Sequence, residues 1–484
     1  MIDNYGIIYI NKHGKANSKL GAIRKDVNMA KTYVLDTNVL IQSPAAMHKF
    51  EDNGLVIPLT VLEELDGLKK AEGERGANAR AAIRELERLR ELGDLLKGVP
   101  LEEGGTLRIE ANCVNVQLPP DLPESKMDNR ILQVCKSIGD KGENVVLVTK
   151  DIVLRVKAQI IGIPAEDFEN EQVPQGQHQY AGRIQCYAPE EDFDAFAKEG
   201  MDKSLLYQVD EAGMPVKPDL YENQFVLIVA DQSTKKTQLG KISGKKVVPL
   251  EYAKAKPYGV EPRSVGQYFL QEALMASSEE APLVIVKGMA GTAKTFYSLA
   301  VGLEKILNNP TNEYRKIMVS RPNAQFDDDI GFLPGDEQEK ISPLMRPIMD
   351  NLEQLIDSDE DERYRNEMEL KGKVDEVFER GIIQAEALNF IRGRSIAKTY
   401  LIIDEAQNTT PNQIKGIITR AGKGTKIILL GDPFQIDKPF LDERTNGLSY
   451  ASEHMKGSKY CYQLTLTAEE CERSQLAMDA IGRL

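Results

Sequence analysis

Histidine and cysteine are scarce in this chain of 484 residues, which has four of the first and five of the second. The cysteines (Cys113, Cys135, Cys186, Cys461 and Cys471) form no CxxC pair. That argues against a structural zinc site and against a disulfide framework. A reduced, intracellular setting is the expectation, with the cytoplasm as compartment. Long apolar runs are missing as well; none approaches the ~20 residues of a membrane span. The first residues, with Asp3 and Asn4, lack the apolar stretch of a secretory signal. No membrane partner is expected. Positive charge is in deficit too: 61 Lys and Arg stand against 75 Asp and Glu, a net charge of −14. A protein that coats nucleic acid or anionic membrane by bulk charge is thereby excluded; a local basic groove is not.

What is present is an ordinary globular balance, 41% hydrophobic and 28% charged. At roughly 150 residues per domain, about three domains are expected. Residues 1–30 are rich in Lys, Asn and Gly, with a short strand-like piece at 5–10. They read either as an extension ahead of a natural start at Met29 or as an ordered extra hairpin. Residues 31–168 read as α/β. Short apolar runs at 33–35 and 145–148 are ended by polar residues, as buried parallel strands are. A charged helix is predicted over 77–96. Residues 169–256 read as a polar, Gln-rich linker and a small, mainly β module, with strands near 224–230 and 247–250 and no evident chemistry. Residues 257–484 return to α/β, with apolar runs at 283–286, 316–319, 400–403 and 426–430. The acidic run 357–362 reads as a solvated loop.

The third region carries a phosphate signature. Gly288-Met289-Ala290-Gly291-Thr292-Ala293-Lys294-Thr295 lies between an apolar strand and an apolar helix at 296–307. Backbone N–H groups of such a loop cradle phosphates at a helix N-terminus. Lys294 would reach the β- and γ-phosphates, and the Thr295 hydroxyl would ligate Mg²⁺. Ala293 stands where the pattern asks for glycine. A second strand delivers Asp404 and Glu405, Asp404 to hold Mg²⁺ and Glu405 to orient the attacking water. A third ends in Gly431-Asp432-Pro433-Phe434-Gln435, where Gln435 could sense the γ-phosphate.

These residues resemble motifs I, II and III of superfamily-one helicase cores, and more closely the PhoH family of ATPases. The family's hallmarks recur as Arg321-Pro322, as Asp329-Ile330-Gly331-Phe332-Leu333-Pro334-Gly335-Asp336, as Phe390-Ile391-Arg392-Gly393-Arg394 and as Glu472-Arg473-Ser474. The resemblance implies ATP hydrolysis on one RecA-like P-loop NTPase core and a ring-shaped homo-oligomer, hexameric in one reading. It implies that Gln267 reads adenine, against the plainer reading of an ordinary helix residue. It implies an arginine finger at Arg473, against a surface ion pair.

The first α/β region has no serine triad, histidine pair or P-loop, but four acids stand in telling positions. Asp36 ends the strand at 33–35. Glu64 shares a helix face with Val61 and Leu68, and Asp128 with Ile131 and Leu132. Asp151 follows the strand at 145–148. Acids at the inner edge of a fold are costly unless paired or metal-bound, and few cations lie near them in sequence. Mg²⁺ or Mn²⁺ suits carboxylate oxygens and activates water for attack on a phosphodiester. The competing reading makes Asp128 a helix cap and Asp151 a turn residue. Leu35-Asp36-Thr37-Asn38, Val61-Leu62-Glu63-Glu64, Asp128-Asn129-Arg130 and Val148-Thr149-Lys150-Asp151 resemble a PIN domain, which implies a metal-dependent ribonuclease. The two regions together resemble bacterial PIN–PhoH proteins and imply RNA unwinding joined to RNA cleavage. Local basic sets, Arg392, Arg394 and Lys398 in one and Arg315, Lys316 and Arg321 in the other, would meet RNA phosphates. Two alternatives remain. One is a P-loop ATPase whose acidic domain binds RNA or a partner protein without cleaving. The other is an ATP-dependent kinase or phosphate-stress regulator without nucleic acid.

Overall fold

Residues 31–471 are described by a computed structural model, apart from 51, 72, 103, 124, 169–172, 175–178, 234, 309–312, 323–336, 358–366, 392–395 and 439–440. Residues 1–30, the motif 329–336, the acidic run beyond Asp357, Arg392, Arg394 and Arg473 therefore lie outside the described residues. The chain divides into two units, Met1–Phe168 and Glu169–Leu484. Among the described residues no helix is long and apolar enough to cross a membrane.

In the first unit the described strands are β1 (Lys31–Leu35), β2 (Gly54–Pro58), β3 (Val99–Pro100), β4 (Thr106–Glu110), β5 (Asn144–Val148) and β6 (Ala165–Glu166). They form one sheet in the order β3-β4-β2-β1-β5-β6, antiparallel only at the β3 edge. Among the described residues five α-helices accompany it: α1 (Thr37–Gln42), α2 (Leu59–Leu68), α3 (Gly73–Leu92), α4 (Met127–Asp140) and α5 (Ile152–Ile160). Val34, Leu35, Ile57, Leu65, Leu89, Leu132 and Leu147 share one core. Burial on both faces is why β5 reads as an apolar run without alternation, whereas β1 leaves Lys31 and Tyr33 half-buried on one face. The helix predicted over 77–96 instead starts and stops about four residues earlier. Gly93 ends it, because glycine is poor in a helix. Asp94 then accepts from the Leu96 N–H at 3.0 Å in a local turn, and Leu96 is exposed.

β1 is the pivot of the sheet. From it the order runs through β2 and β4 on one side and through β5 and β6 on the other. Ligand groups gather at the carboxyl ends of strands at such a reversal. Asp36 and Thr149 stand there, and the Asp36 N–H donates to Val148 O at 3.1 Å.

The second unit opens with β7 (Arg183–Ala188), α6 (Phe193–Glu199), β8 (Met201–Asp202), β9 (Gln208–Val209), β10 (Pro215–Val216), β11 (Phe225–Ala230), β12 (Thr237–Ser243) and β13 (Lys246–Pro249). The described sheet order is β7-β11-β12-β13-β8, with β9 and β10 paired separately. Strand β11 faces two ways. Val226 and Ile228 pack with Phe196 in a small local core. Phe225 instead stacks on Phe269 with ring centroids 4.9 Å apart, in the core of the larger sheet later in the unit.

The rest of this unit comprises α7 (Val265–Met275), β14 (Leu283–Lys287), α8 (Lys294–Leu303), β15 (Lys316–Ser320), α9 (Glu337–Asp357), α10 (Glu367–Glu379), β16 (Ile383–Ala385), α11 (Leu388–Ile391), β17 (Thr399–Ile403), α12 (Pro411–Ile418), β18 (Lys426–Gly431), α13 (Gly447–His454) and β19 (Cys461–Thr465). The described sheet is wholly parallel, in the order β16-β15-β17-β18-β14-β19. Successive residues face opposite sides. Val284, Val286, Ile402 and Ile428 enter one core, and Leu283, Ile285, Leu401 and Ile403 the other. The four strands expected from apolar runs are all present. The two edge strands were not expected, because β16 is only three residues long and β19 carries Gln463 and Thr465 among its apolar positions. The helix expected over 296–307 begins two residues earlier, at Lys294, and passes into a π-helical turn at Glu304–Asn308.

Candidate functional site

β14 delivers the phosphate loop, and two glycines shape it. A Cβ at Gly288 would stand 2.9 Å from Leu466 Cβ, so a side chain there has no room. Gly291 has φ +89°, a conformation natural only to glycine. Ala293 then turns left-handed, at φ 59° and ψ 21°, before α8 begins. This is the position where the sequence departs from the usual glycine, and the alanine adopts the glycine geometry at the cost of strain.

Lys294 opens α8 and is buried. Its Nζ donates to Gly288 O at 2.6 Å and Met289 O at 2.8 Å. Burial pushes its pKa down, against the pull of Asp404, Asp432 and Glu405. The Thr295 hydroxyl donates to Asp404 Oδ1 at 3.1 Å. Asp404 ends β17 and is only 6% exposed. Burial first, and then the adjacent Glu405 charge, raise its pKa; Arg321, Thr295 and Lys294 counter them. Glu405 is held left-handed, at φ 53°, and strain of this kind clusters at functional sites.

Arg321, which follows β15, donates from Nη2 to Glu405 Oε1 at 2.8 Å. The sequence groups it with Arg315 and Lys316 as a basic set; the structure places it in the lining of the nucleotide cavity, because β15 and β17 are paired neighbours. Gln407, whose role the sequence did not disclose, holds the other side. Its Nε2 donates to Glu405 Oε2 at 2.6 Å and to Gln435 O at 2.8 Å. Its Oε1 accepts from the Asp432 N–H at 3.2 Å. A glutamine two residues after the strand acid Glu405 was the available signal. Lys294, Thr295, Arg321, Asp404, Glu405, Asp432 and Gln435 line one cavity of about 300 Å³ with Ala290, Gly291 and Ala293. Gln267 does not line it. Gln267 is buried near the start of α7, where its Oε1 accepts from the Arg263 N–H at 2.7 Å.

The four acids of the first unit stand in and around the β1/β5 crevice. Asp36 is 7% exposed. Its Oδ2 accepts from the Thr149 hydroxyl at 2.6 Å, and its Oδ1 from the Thr37 N–H at 2.6 Å. Burial is the main reason its pKa is pushed up to about 6; the charges of Glu64 and Asp128 add to it, and the two hydrogen bonds oppose it. Glu64 Oε2 accepts from the Thr37 hydroxyl at 2.6 Å. Thr37 and Thr149 thus link Asp36 to its neighbours, and Thr149 also accepts from the Asp151 N–H at 3.0 Å.

The competing partners are equally clear. Asp128 Oδ2 accepts from Lys157 Nζ at 3.1 Å, so a cation from α5 does reach the acids. Asp151 Oδ1 caps α5, accepting from the Val153 N–H at 2.7 Å. Among the described residues no trio of His, Cys, Asp and Glu is placed to hold a metal ion. The donor chemistry nonetheless fits a hard divalent cation: a buried carboxylate pushed up to about 6, beside two further acids, is the environment a cation relieves.

A P-loop core with paired strand acids, following an α/β domain with acids at its switch point, defines a P-loop ATPase with an appended acidic-site domain. A family profile described as PhoH-like protein matches residues 259–483, and one described as PIN domain matches residues 33–169. The chain is 39% identical to "Protein PhoH2" of Bacillus subtilis, over 94% of this chain and all of that one. It is 32% identical to "Protein PhoH2" of Mycolicibacterium smegmatis, over 92% of this chain and 95% of that one. With "Protein PhoH2" of Thermobispora bispora the figures are 31%, 92% and 95%. The chain belongs to the PhoH family, with a PIN domain toward its N-terminus and the PhoH ATPase domain toward its C-terminus.

Proposed function

We propose that this protein is an ATP-dependent, RNA-remodelling ribonuclease acting in the cytoplasm. The PhoH domain hydrolyses ATP to move or unwind RNA, and the PIN domain cuts it. Lys294 and the loop N–H groups bind the phosphates. Thr295 and Asp404 would hold Mg²⁺, Glu405 orients the attacking water, and Gln435 reports the γ-phosphate to Glu405 through Gln407. In the PIN domain, Asp36, Glu64 and Asp128, with Asp151 beside them, would hold Mg²⁺ or Mn²⁺. When bound, such an ion lowers the pKa of water for attack on a phosphodiester. The subunits assemble as a homo-oligomeric ring, with the hexamer as the arrangement to test and Arg473 serving the neighbouring ATP site.

The observation that carries this reading is Asp36. It is a buried carboxylate at the sheet's reversal point, tied through Thr37 to Glu64 and through Thr149 to the Asp151 N–H, with burial pushing its pKa up to about 6. A second reading is favoured by the Lys157–Asp128 pair and the Asp151 cap: the PIN domain binds RNA or a partner protein without cleaving. Cleavage of single-stranded RNA and ATP hydrolysis by the whole protein, each with and without Mg²⁺ or Mn²⁺, separate the two. Cleavage that needs the metal, with ATPase stimulated by RNA, supports the nuclease. RNA-stimulated ATPase without cleavage in any metal leaves the binding reading.

A further inference from the structure

The nucleotide cavity occupies the carboxyl ends of the ATPase strands. A second cavity of about 760 Å³ lies at their amino ends. Arg315, Lys398 and Lys423 line it, all three exposed. Two backbone bonds fix them side by side: the Arg315 N–H donates to Lys398 O at 2.8 Å, and the Lys398 N–H donates to Lys423 O at 3.1 Å. Lys398 is left-handed at φ 50°, a strained conformation for a residue with a side chain. Among the described residues none of the three makes an ion pair.

Two acids also line the cavity, Glu279 and Glu313. Glu313 is compensated: the buried Lys305 ammonium lies 3.4 Å from its Oε2, and its Oε1 accepts from the Ser278 N–H at 2.5 Å and the Tyr314 hydroxyl at 3.0 Å. That leaves three cations against one exposed acid, on a chain whose net charge is −14. An oxyanion ligand is the chemistry this excess favours.

Each of these residues leads into a strand that ends at the nucleotide site. Arg315 precedes β15, which ends before Arg321; Lys398 precedes β17, which ends before Asp404; and Lys423 lies just ahead of β18, which ends before Asp432. At about 3.3 Å per residue, five or six residues separate the two cavities by roughly 15–20 Å. We propose that the cavity of Arg315, Lys398 and Lys423 binds consecutive phosphates of a single-stranded RNA backbone, at the opposite end of the sheet from ATP; this rests on the proposed action on RNA. Backbone charge rather than base identity is what it recognises, since three exposed cations point to phosphate contacts.

The test measures binding of a fluorescent single-stranded oligoribonucleotide to the full chain across a salt series. Arg315→Gln, Lys398→Gln and Lys423→Gln are combined in one variant. A control variant carries Lys217→Gln, Lys235→Gln and Lys245→Gln, three exposed lysines of the β module with the same change in net charge. Each phosphate contact on a single strand contributes about 0.7 to the log–log salt slope. The cavity variant is expected to lose about 2 from that slope and at least about tenfold in affinity. The control should keep both, and RNA-free ATPase should stay near wild type in both variants. If the wild type binds RNA but the cavity variant matches it, or the control falls as far, this site is wrong and the RNA-acting reading stands. If the wild type binds no RNA, both fall.

Discussion

The Thr295 hydroxyl donates to Asp404 Oδ1 at 3.1 Å, tying the first turn of the phosphate-loop helix to the end of β17. One residue comes from the loop that meets phosphate and the other from the strand that offers a buried carboxylate. In the proposed function this pair would hold Mg²⁺ beside ATP. Thr295→Val preserves shape and removes the hydroxyl, so kcat for ATP hydrolysis is expected to fall about 10- to 100-fold, whereas Thr295→Ser stays within about threefold. A Mg²⁺ titration at saturating ATP checks both, and equal activity of the valine and serine variants would rule the hydroxyl out.

Ala293→Gly should stabilise the ATPase domain. Relief of a left-handed alanine is worth about 1–2 kcal/mol, and the added freedom of glycine in the unfolded chain takes back about 0.4–1. The net expectation is a gain of about 0.5–1 kcal/mol, with ATPase equal or higher. Thermal melting of the nucleotide-responsive transition, beside a steady-state ATPase assay, gives the answer. A drop in either would mean that the methyl group is needed for the loop's shape.

Separate sites should fail separately. Asp36→Asn keeps the hydrogen-bonded shape at the β1/β5 crevice and removes a charge. Metal-dependent RNA cleavage should disappear while ATP hydrolysis stays near wild type. Lys294→Ala should do the reverse: hydrolysis is lost and unstructured RNA is still cut. Cleavage by Asp36→Asn at the wild-type rate in highly purified protein would end the nuclease reading.

Lys287 gives a pH signature. It is 4% exposed, and its Nζ donates to Tyr180 O at 2.8 Å. Burial lowers its pKa from 10.5 to about 8, with the Glu453 charge partly opposing. Between those two values the unfolded chain binds more protons than the folded one. Stability contributed here therefore rises with pH from about 8 to 10.5, and below 8 the full penalty of the buried ammonium is present. Lys287→Met should raise the melting temperature at pH 7, by at most about 3 kcal/mol in stability. The advantage should shrink to nothing by about pH 10.5. A constant difference across a pH series would assign the effect to packing instead.

Arg473 lies outside the described residues, so its partner is a question for assembly. Arg473→Ala and Glu405→Gln should each be inactive. Mixed together under subunit exchange, confirmed by tagged pull-down, they should regain part of the ATPase. No recovery would place Arg473 within its own subunit's site or outside catalysis.

Local sequence was enough to reveal the loop Gly288–Thr295, the strand acids Asp404 and Glu405, and the acids Asp36 and Asp151 at strand ends. These are short-range signals: an apolar strand followed at once by glycine or carboxylate has few structural readings, because buried polar groups must find partners. The four apolar runs of the ATPase sheet were legible for the same reason. Strand order was not, nor was any contact made between elements. That Arg321 meets Glu405 is a consequence of β15 and β17 lying side by side. That Lys157 reaches Asp128 depends on α5 passing the start of α4. The pairing of β17 with β18 places Gln407 between Glu405 and Gln435, a bridge that its position after the strand acids does not disclose. Arg315, Lys398 and Lys423 span more than a hundred positions in sequence, and only the parallel register of three strands makes them neighbours. Which side chains could do chemistry was legible from residue type and immediate context alone. Which of them meet follows from the fold, because pairings between distant segments are set by how the sheet closes its core, and no local pattern encodes them.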